Sequence, residues 1–102
     1  MYKLIISALA HDDLRNIISY IATTLCAPEA ATRFSDEVKK CYGQLKNNPM
    51  IYALCNNARL NKEGYRRAVI KKYVLIYKVD EAEKIVKIYR LFYGAQDYVN
   101  KI

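Results

Sequence analysis

The fold is decided by residues 65–93, which read YRRAVIKKYVLIYKVDEAEKIVKIYRLFY. The segment is rich in β-branched and aromatic residues, which favour extended strands. We predict three strands joined by two short turns, at Lys71-Lys72 and at residues 80–83: Tyr65–Ile70, Tyr73–Val79 and Lys84–Tyr93. Because links this short cannot cross over a sheet, the neighbouring strands must run antiparallel.

The N-terminal half predicts one strand and two helices. Tyr2–Ile6 is short, apolar and typical of a strand. From Ser7, which can cap a helix, apolar residues recur at helical spacing to about Leu25. A second helix begins at Pro28 and ends at Asn47-Asn48-Pro49, with an apolar stripe at Ala31, Phe34, Val38, Cys41 and Leu45. A link of two or three residues makes the pair an antiparallel hairpin.

The remaining segments are short. Residues 50–64 lack periodicity and predict a loop with room for one short turn, and residues 95–101 predict a short terminal helix. Residues 1–102 therefore form a single α+β domain of order β-αα-βββ. In this arrangement a helix hairpin packs on a small, largely antiparallel sheet.

Positive charge is concentrated in the C-terminal part of the chain. Lys and Arg number 17 against 10 Asp and Glu, a formal charge of +7, and an apolar content of 53% excludes a disordered chain. Residues 1–58 carry six basic and five acidic side chains (+1), and residues 59–102 carry eleven and five (+6). This excess favours nucleic acid, an anionic surface or an acidic protein as partner. The densest cluster is Arg59, Lys62, Arg66, Arg67, Lys71 and Lys72.

Metal, cofactor and membrane signals are weak. Cys26, Cys41 and Cys55 show no CxxC spacing, and one histidine, His11, cannot complete an ordinary zinc site. Cys41 lies on the apolar stripe of the second helix and is expected to be a buried thiol. The apolar opening is far shorter than the roughly 20 residues that span a bilayer. We expect no metal, no cofactor, no membrane partner and a cytoplasmic location.

Arg90 interrupts the strand face formed by Val86, Ile88 and Phe92. A buried arginine needs a partner, because an unpaired buried charge is strongly unfavourable. One interpretation is an ion pair inside the fold, with Asp97 as a candidate. The other is a cation that binds phosphate or an acidic segment.

The tyrosines and arginines of the sheet also leave two interpretations open. The tyrosine rings either pack the sheet or stack on unpaired bases while nearby cations hold phosphates. Metal-free RNA cleavage needs groups that move protons and cations that stabilise the phosphate. The candidates for that chemistry are Arg66, Arg67, Arg90 and Tyr93.

Several segments together resemble the RelE/ParE toxin superfamily. They are YKLII at residues 2–6, DLRNIISYI at 13–21, PEAA at 28–31, GYRR at 64–67, YVLIYKVDE at 73–81 and RLFYGAQDY at 90–98. The likeness covers nearly the whole chain and follows the predicted element order. It implies a toxin of a type II toxin–antitoxin (plasmid stabilisation) module, with an acidic, partly disordered antitoxin that wraps the toxin and masks its basic surface. Operator DNA would be contacted only through that antitoxin.

The resemblance allows two targets. RelE-like members are endonucleases that cut ribosome-bound mRNA, whereas ParE-like members inhibit DNA gyrase without an established nuclease site. RelE-like enzymes typically carry a basic residue directly after the aromatic position matched by Tyr73, and this chain has Val74 there. The pattern from Arg90 to Asp97 looks more like ParE, although Ala95 replaces a residue that is often arginine. We therefore expect a gyrase inhibitor, with an mRNA endonuclease or a plain binding module as alternatives. Arg59, Lys62, Arg66, Arg67, Lys71, Lys72, Arg90 and Tyr93 are expected to bind target or antitoxin.

Overall fold

The computed structural model describes residues 1–94, 96 and 98–102. The described elements follow the predicted order with one additional short helix: β1 (Lys3–Ile6), α1 (Ala8–Ser19), α2 (Pro28–Asn47), α3 (Ala58–Lys62), β2 (Arg66–Ile70), β3 (Tyr73–Asp80) and β4 (Ile85–Tyr93). In this part of the chain, no helix has the length and apolar content required to cross a bilayer.

The two long helices form the expected hairpin. The Ser7 hydroxyl caps α1 by accepting a hydrogen bond of 3.0 Å from the Ala10 amide, and Pro28 occupies the first turn of α2. The prediction of one uniform helix to Leu25 is corrected, because α1 continues from Tyr20 to Thr24 as a wider π-helical turn. This turn leads into the short link to α2.

The sheet confirms the predicted α+β architecture. Its strand order is β1-β4-β3-β2, with β1 parallel to β4 and the other neighbours antiparallel. Lys71, in the tight turn between β2 and β3, has a left-handed backbone with φ of 57°. The strands differ from the predicted ranges by one residue at one end each.

The main core lies between the helix hairpin and one face of the sheet. The stripe predicted on α2 is buried there, and the Cys41 thiol is buried as expected. On the sheet, the largest buried side chain is Tyr77, whose hydroxyl donates a hydrogen bond of 2.8 Å to the Pro49 carbonyl. Burial raises the pKa of Tyr77 to about 12.

A bulge in β4 corrects the predicted strand faces. Ile76 of β3 pairs with Arg90, but the next residue, Tyr77, pairs with Ile88, so Tyr89 is extra in the ladder. The alternation therefore shifts. Val86, Ile88 and then Leu91 face the main core, whereas the sequence pattern places Val86, Ile88, Arg90 and Phe92 on one face.

A second, smaller core covers part of the opposite sheet face. The predicted loop of residues 50–64 contains α3, and Leu60 of that helix packs with Cys55, Val74, Ile76 and Phe92. The C-terminal residues close this core, since Tyr98 stacks on Phe92 with ring centroids 5.7 Å apart. The predicted terminal helix is a single 3₁₀ turn at Val99–Lys101, and the part of that prediction at Ala95 and Asp97 lies outside the described residues.

Candidate functional site

A groove of about 680 Å³ opens between α1 and the C-terminal half of β4. It forms because β1 pairs only with residues 85–88 of β4 and leaves the rest of that edge uncovered by a strand. A second cavity of about 320 Å³ shares Leu25, Lys72 and Tyr73 with it. We call the two together the hairpin groove. It runs from Asp13 on α1 to Arg33 on α2.

Asp13 fixes Arg90 at one end of the hairpin groove. The Arg90 guanidinium donates two hydrogen bonds to the Asp13 carboxylate, of 2.7 and 3.0 Å, and the Leu91 amide donates a third of 3.0 Å. These hydrogen bonds raise the pKa of Arg90 above its usual value. Of the two interpretations of Arg90, the ion pair within the fold is present, but with Asp13. Asp97 lies outside the described residues.

Aromatic rings form the floor and mouth of the groove. The Phe34 and Tyr73 ring centroids are 4.9 Å apart, and those of Tyr73 and Tyr93 are 5.7 Å apart. Burial of Tyr73 raises its pKa above the usual value. Tyr93 remains 47% exposed at the mouth, so its ring is accessible to a partner.

Large apolar side chains flank the groove at the turn that follows α1. Tyr20 is 48% and Leu25 is 54% exposed, although both are large hydrophobic residues. Exposed apolar surface next to a concavity is typical of an interaction site.

The rim of the groove is positively charged. Arg33, Lys71 and Lys72 are exposed around it. The Gly94 amide holds the Lys72 carbonyl at 2.8 Å, which anchors the turn that carries these lysines. Among the described residues that line the two cavities, Asp13 is the only acid, and Arg90 already neutralises it.

Arg66 and Arg67 do not join the groove. They are consecutive on β2, so their side chains leave opposite faces of the sheet. Arg66 donates a hydrogen bond of 2.7 Å to the Tyr52 carbonyl. Arg67 has its Nε buried, and this atom has no hydrogen-bond partner among the described residues.

The remaining basic residues of the 59–72 segment lie elsewhere. Arg59 on α3 contacts Glu63 at 3.0 Å and donates to the carbonyls of Val99 and Ile102 at 2.7 and 3.2 Å, so it fastens the C-terminal residues. Lys62 is exposed on the same helix. The segment that is continuous in sequence is thus divided among α3, the two faces of β2 and the turn before β3.

The sequence matches a family described as "ParE toxin of type II toxin-antitoxin system, parDE" over residues 4–98. The chain belongs to the ParE toxin family. No curated protein matches it.

Solved structures of related toxins share the fold of this ParE-family chain. The chromosomal ParDE system of P. aeruginosa matches with a TM-score of 0.71 at 18% identity, covering 91% of this chain and 96% of that one. The RelBE2 toxin–antitoxin complex of Mycobacterium tuberculosis matches with a TM-score of 0.64 at 20% sequence identity, and the match covers 90% of this chain and 96% of that one. YafQ of E. coli matches with a TM-score of 0.61 at 18% sequence identity, and the match covers 93% of this chain and 96% of that one. Both branches of the superfamily are therefore represented among its structural relatives.

Of the eight predicted site residues of this ParE-family toxin, the hairpin groove brings together Lys71, Lys72, Arg90 and Tyr93. Sequence reasoning missed Asp13, Tyr20 and Leu25. Leu25 is predicted on the apolar stripe of the first helix, and its exposure corrects that prediction. Tyr20 carries a signal, since it is a large aromatic residue that lies off that stripe. Asp13 carries none, because its partner is 77 residues away along the chain.

Proposed function

We propose that this toxin inhibits DNA gyrase and that an acidic antitoxin neutralises it by binding the hairpin groove. The choice of gyrase over mRNA cleavage depends on Val74. This residue occupies the position at which RelE-like nucleases typically carry a cation, and its side chain is 3% exposed within the second core. The buried aliphatic side chain of Val74 supplies no positive charge to a phosphate.

The arrangement of the nuclease candidates also supports this choice. Catalysis of phosphodiester cleavage requires cations and proton-transfer groups that converge on one phosphate. Arg90 and Tyr93 line the hairpin groove, whereas Arg66 and Arg67 leave β2 on opposite faces and outside it. The Arg90 guanidinium is, in addition, engaged with Asp13.

The antitoxin proposal follows from the chemistry of the groove. An apolar stripe on the partner would pack on Tyr20, Leu25 and Tyr93, and acidic side chains beside that stripe would meet Arg33 and Lys72. An amphipathic acidic segment has both features, and helix-in-groove docking is a common mode of recognition. Related toxins have been solved as complexes with antitoxins. Contact with operator DNA would then be made by the antitoxin.

Expression in a bacterial host tests the target. We expect growth arrest with loss of negative supercoiling in plasmid DNA recovered from arrested cells, while the 5′ ends of cellular mRNA stay unchanged. Arrest with new mRNA 5′ ends at ribosomal A-site positions and normal plasmid topology would favour the endonuclease. Unimpaired growth would contradict both. Co-expression of a small acidic protein from the neighbouring reading frame should restore growth.

A further inference from the structure

Part of the sheet face that points away from the helix hairpin lies outside the second core. On β1, Leu4 and Ile6 pack on the main core, so Lys3 and Ile5 point to the opposite side. On β4, Lys87 lies between the core residues Val86 and Ile88 and points the same way. We call the surface formed by Lys3, Ile5, Lys78, Lys87 and Tyr89 the lysine face.

The lysine face places like charges directly opposite each other. Lys78 of β3 and Lys87 of β4 are paired residues in the antiparallel ladder, and Lys87 is also paired with Ile5 of β1. Directly opposed like charges are unfavourable on a sheet. Within residues 1–94, 96 and 98–102, no carboxylate lies within salt-bridge distance of either lysine. A bound anion would relieve this repulsion.

A cleft of about 490 Å³ lies at one end of the lysine face, where Lys78 and Lys87 line it. Arg66 borders the cleft from the helix side of the sheet and donates a hydrogen bond of 2.7 Å to the Tyr52 carbonyl, so it is not counted with the lysine face. Asp80 and Glu81 lie at the cleft as well. The Asp80 carboxylate is engaged within the hairpin turn, where it accepts a hydrogen bond of 3.1 Å from the Glu83 amide. Asp80 is therefore held within the turn and forms no ion pair with Lys78 or Lys87.

The aromatic rings of this region are occupied. The Lys78 ammonium lies 4.3 Å from the centroid of the Tyr65 ring, and Tyr65 is only 8% exposed. Tyr89 packs edge-on against Tyr65 with centroids 5.2 Å apart. These contacts indicate that the two rings pack within the second core rather than form a stacking platform for unpaired bases. What the surface presents is lysine charge, which contacts phosphates without reading sequence.

We infer that the lysine face binds the phosphate backbone of duplex DNA without sequence preference. Duplex DNA carries about one negative charge per 1.7 Å of helix axis, so each of these neighbouring lysines can contact a phosphate of the same duplex. The lysine face shares no residue with the hairpin groove. This binding goes beyond the proposed inhibition of gyrase and does not depend on it, so a toxin with either target could carry it.

Fluorescence anisotropy of the purified chain with a labelled duplex of about 20 base pairs tests the inference. If Lys3, Lys78 and Lys87 each neutralise one phosphate, affinity should fall roughly 40-fold between about 50 and about 200 mM salt. The double variant Lys78→Gln/Lys87→Gln should retain one contact and lose only about 3.5-fold over the same range. The matched control is Lys39→Gln/Lys40→Gln, which removes the same charge from exposed positions on α2 and should keep the wild-type salt dependence.

The Lys78 change removes the contact of its ammonium with the Tyr65 ring and can disturb the packing there. The single variant Lys87→Gln avoids this, because Lys87 is exposed, and it should also reduce the salt dependence. Equal salt dependence of the control and the lysine-face variants would overturn the inference. Tighter binding of the single strand than of the duplex would overturn the choice of duplex DNA. Stronger displacement of the labelled duplex by poly-glutamate than by unlabelled duplex at equal charge concentration would instead identify an acidic protein as the occupant. Because toxin bound along the plasmid would itself hinder gyrase, Lys78→Gln/Lys87→Gln is also added to the supercoiling assay. The proposed inhibition of gyrase requires that this variant still inhibits, so the two tests fail independently.

Discussion

Asp13 on α1 holds Arg90 on β4 through two hydrogen bonds of 2.7 and 3.0 Å. The same carboxylate accepts the Leu91 amide at 3.0 Å, at the edge of β4 where β1 has ended. The Asp13 carboxylate therefore accepts hydrogen bonds both from the Arg90 guanidinium and from a backbone amide of β4 that has no partner strand. The two side chains are only 15% and 21% exposed, so the pair is well shielded from solvent.

We predict a measurable coupling between Asp13 and Arg90. In a double-mutant cycle with Asp13→Ala and Arg90→Ala, the coupling in the free energy of unfolding should be about 1–3 kcal/mol, because shielded charge-assisted hydrogen bonds are lost. Urea denaturation followed by circular dichroism measures it. Asp12→Ala serves as the control, because Asp12 is half-exposed and pairs with exposed Arg15; it should cost about 0.5 kcal/mol or less. Additive effects of Asp13→Ala and Arg90→Ala would contradict the pair.

The buried hydroxyl of Tyr77 predicts a loss of stability in alkali. Tyr77 has a folded-state pKa of about 12, against an ordinary value of 10.0, because burial disfavours the phenolate. Between these pH values the unfolded chain releases the proton first. The stabilising contribution of the neutral hydroxyl is therefore complete below pH 10 and is lost as the pH rises to 12. Burial also raises the pKa of Tyr42 to about 12, so its neutral hydroxyl likewise contributes stability that is lost between pH 10 and pH 12.

Tyr77→Phe should remove one of these contributions. The free energy of unfolding should fall less steeply above pH 10 in the variant than in the wild type, as followed by urea midpoints. At neutral pH the variant should lose about 1–3 kcal/mol, because the buried Pro49 carbonyl loses its donor. Identical slopes above pH 10 would show that the Tyr77 proton contributes nothing to the difference.

The hairpin groove predicts a strong effect of Leu25→Asp on antitoxin binding. The change removes an exposed apolar side chain and adds a negative charge facing an acidic partner, so affinity should fall at least about tenfold. Ile51→Asp is a matched control, since Ile51 is 50% and Leu25 54% exposed, but only Leu25 lines the groove. Isothermal titration with the purified product of the neighbouring acidic reading frame measures both. Equal losses in the two variants would place the antitoxin elsewhere.

Local patterns predicted most of the architecture. Helical periodicity defined the α2 stripe, and the Lys71-Lys72 turn fixed the pairing of β2 with β3. These features depend on residues close together in sequence. The opposite placement of Arg66 and Arg67 also follows from strand alternation, yet treating residues 59–72 as one basic cluster overlooked it.

Features that depend on distant contacts were not predictable in the same way. The extra residue Tyr89 in β4 reverses the faces of Arg90 and Leu91, and the sequence shows no glycine or proline to mark it. The second core joins α3 to the C-terminal residues across the sheet, so no periodicity within either segment reveals it. The Asp13–Arg90 pair spans 77 positions.

A supercoiling assay with purified gyrase and relaxed plasmid tests the proposed inhibition of gyrase directly. We predict that the purified toxin abolishes the supercoiled product in a concentration-dependent manner. A translating extract treated with the same amounts should show no new mRNA 5′ ends. Undiminished supercoiling together with A-site cuts in the extract would rule out gyrase as the target and identify the chain as an mRNA endonuclease.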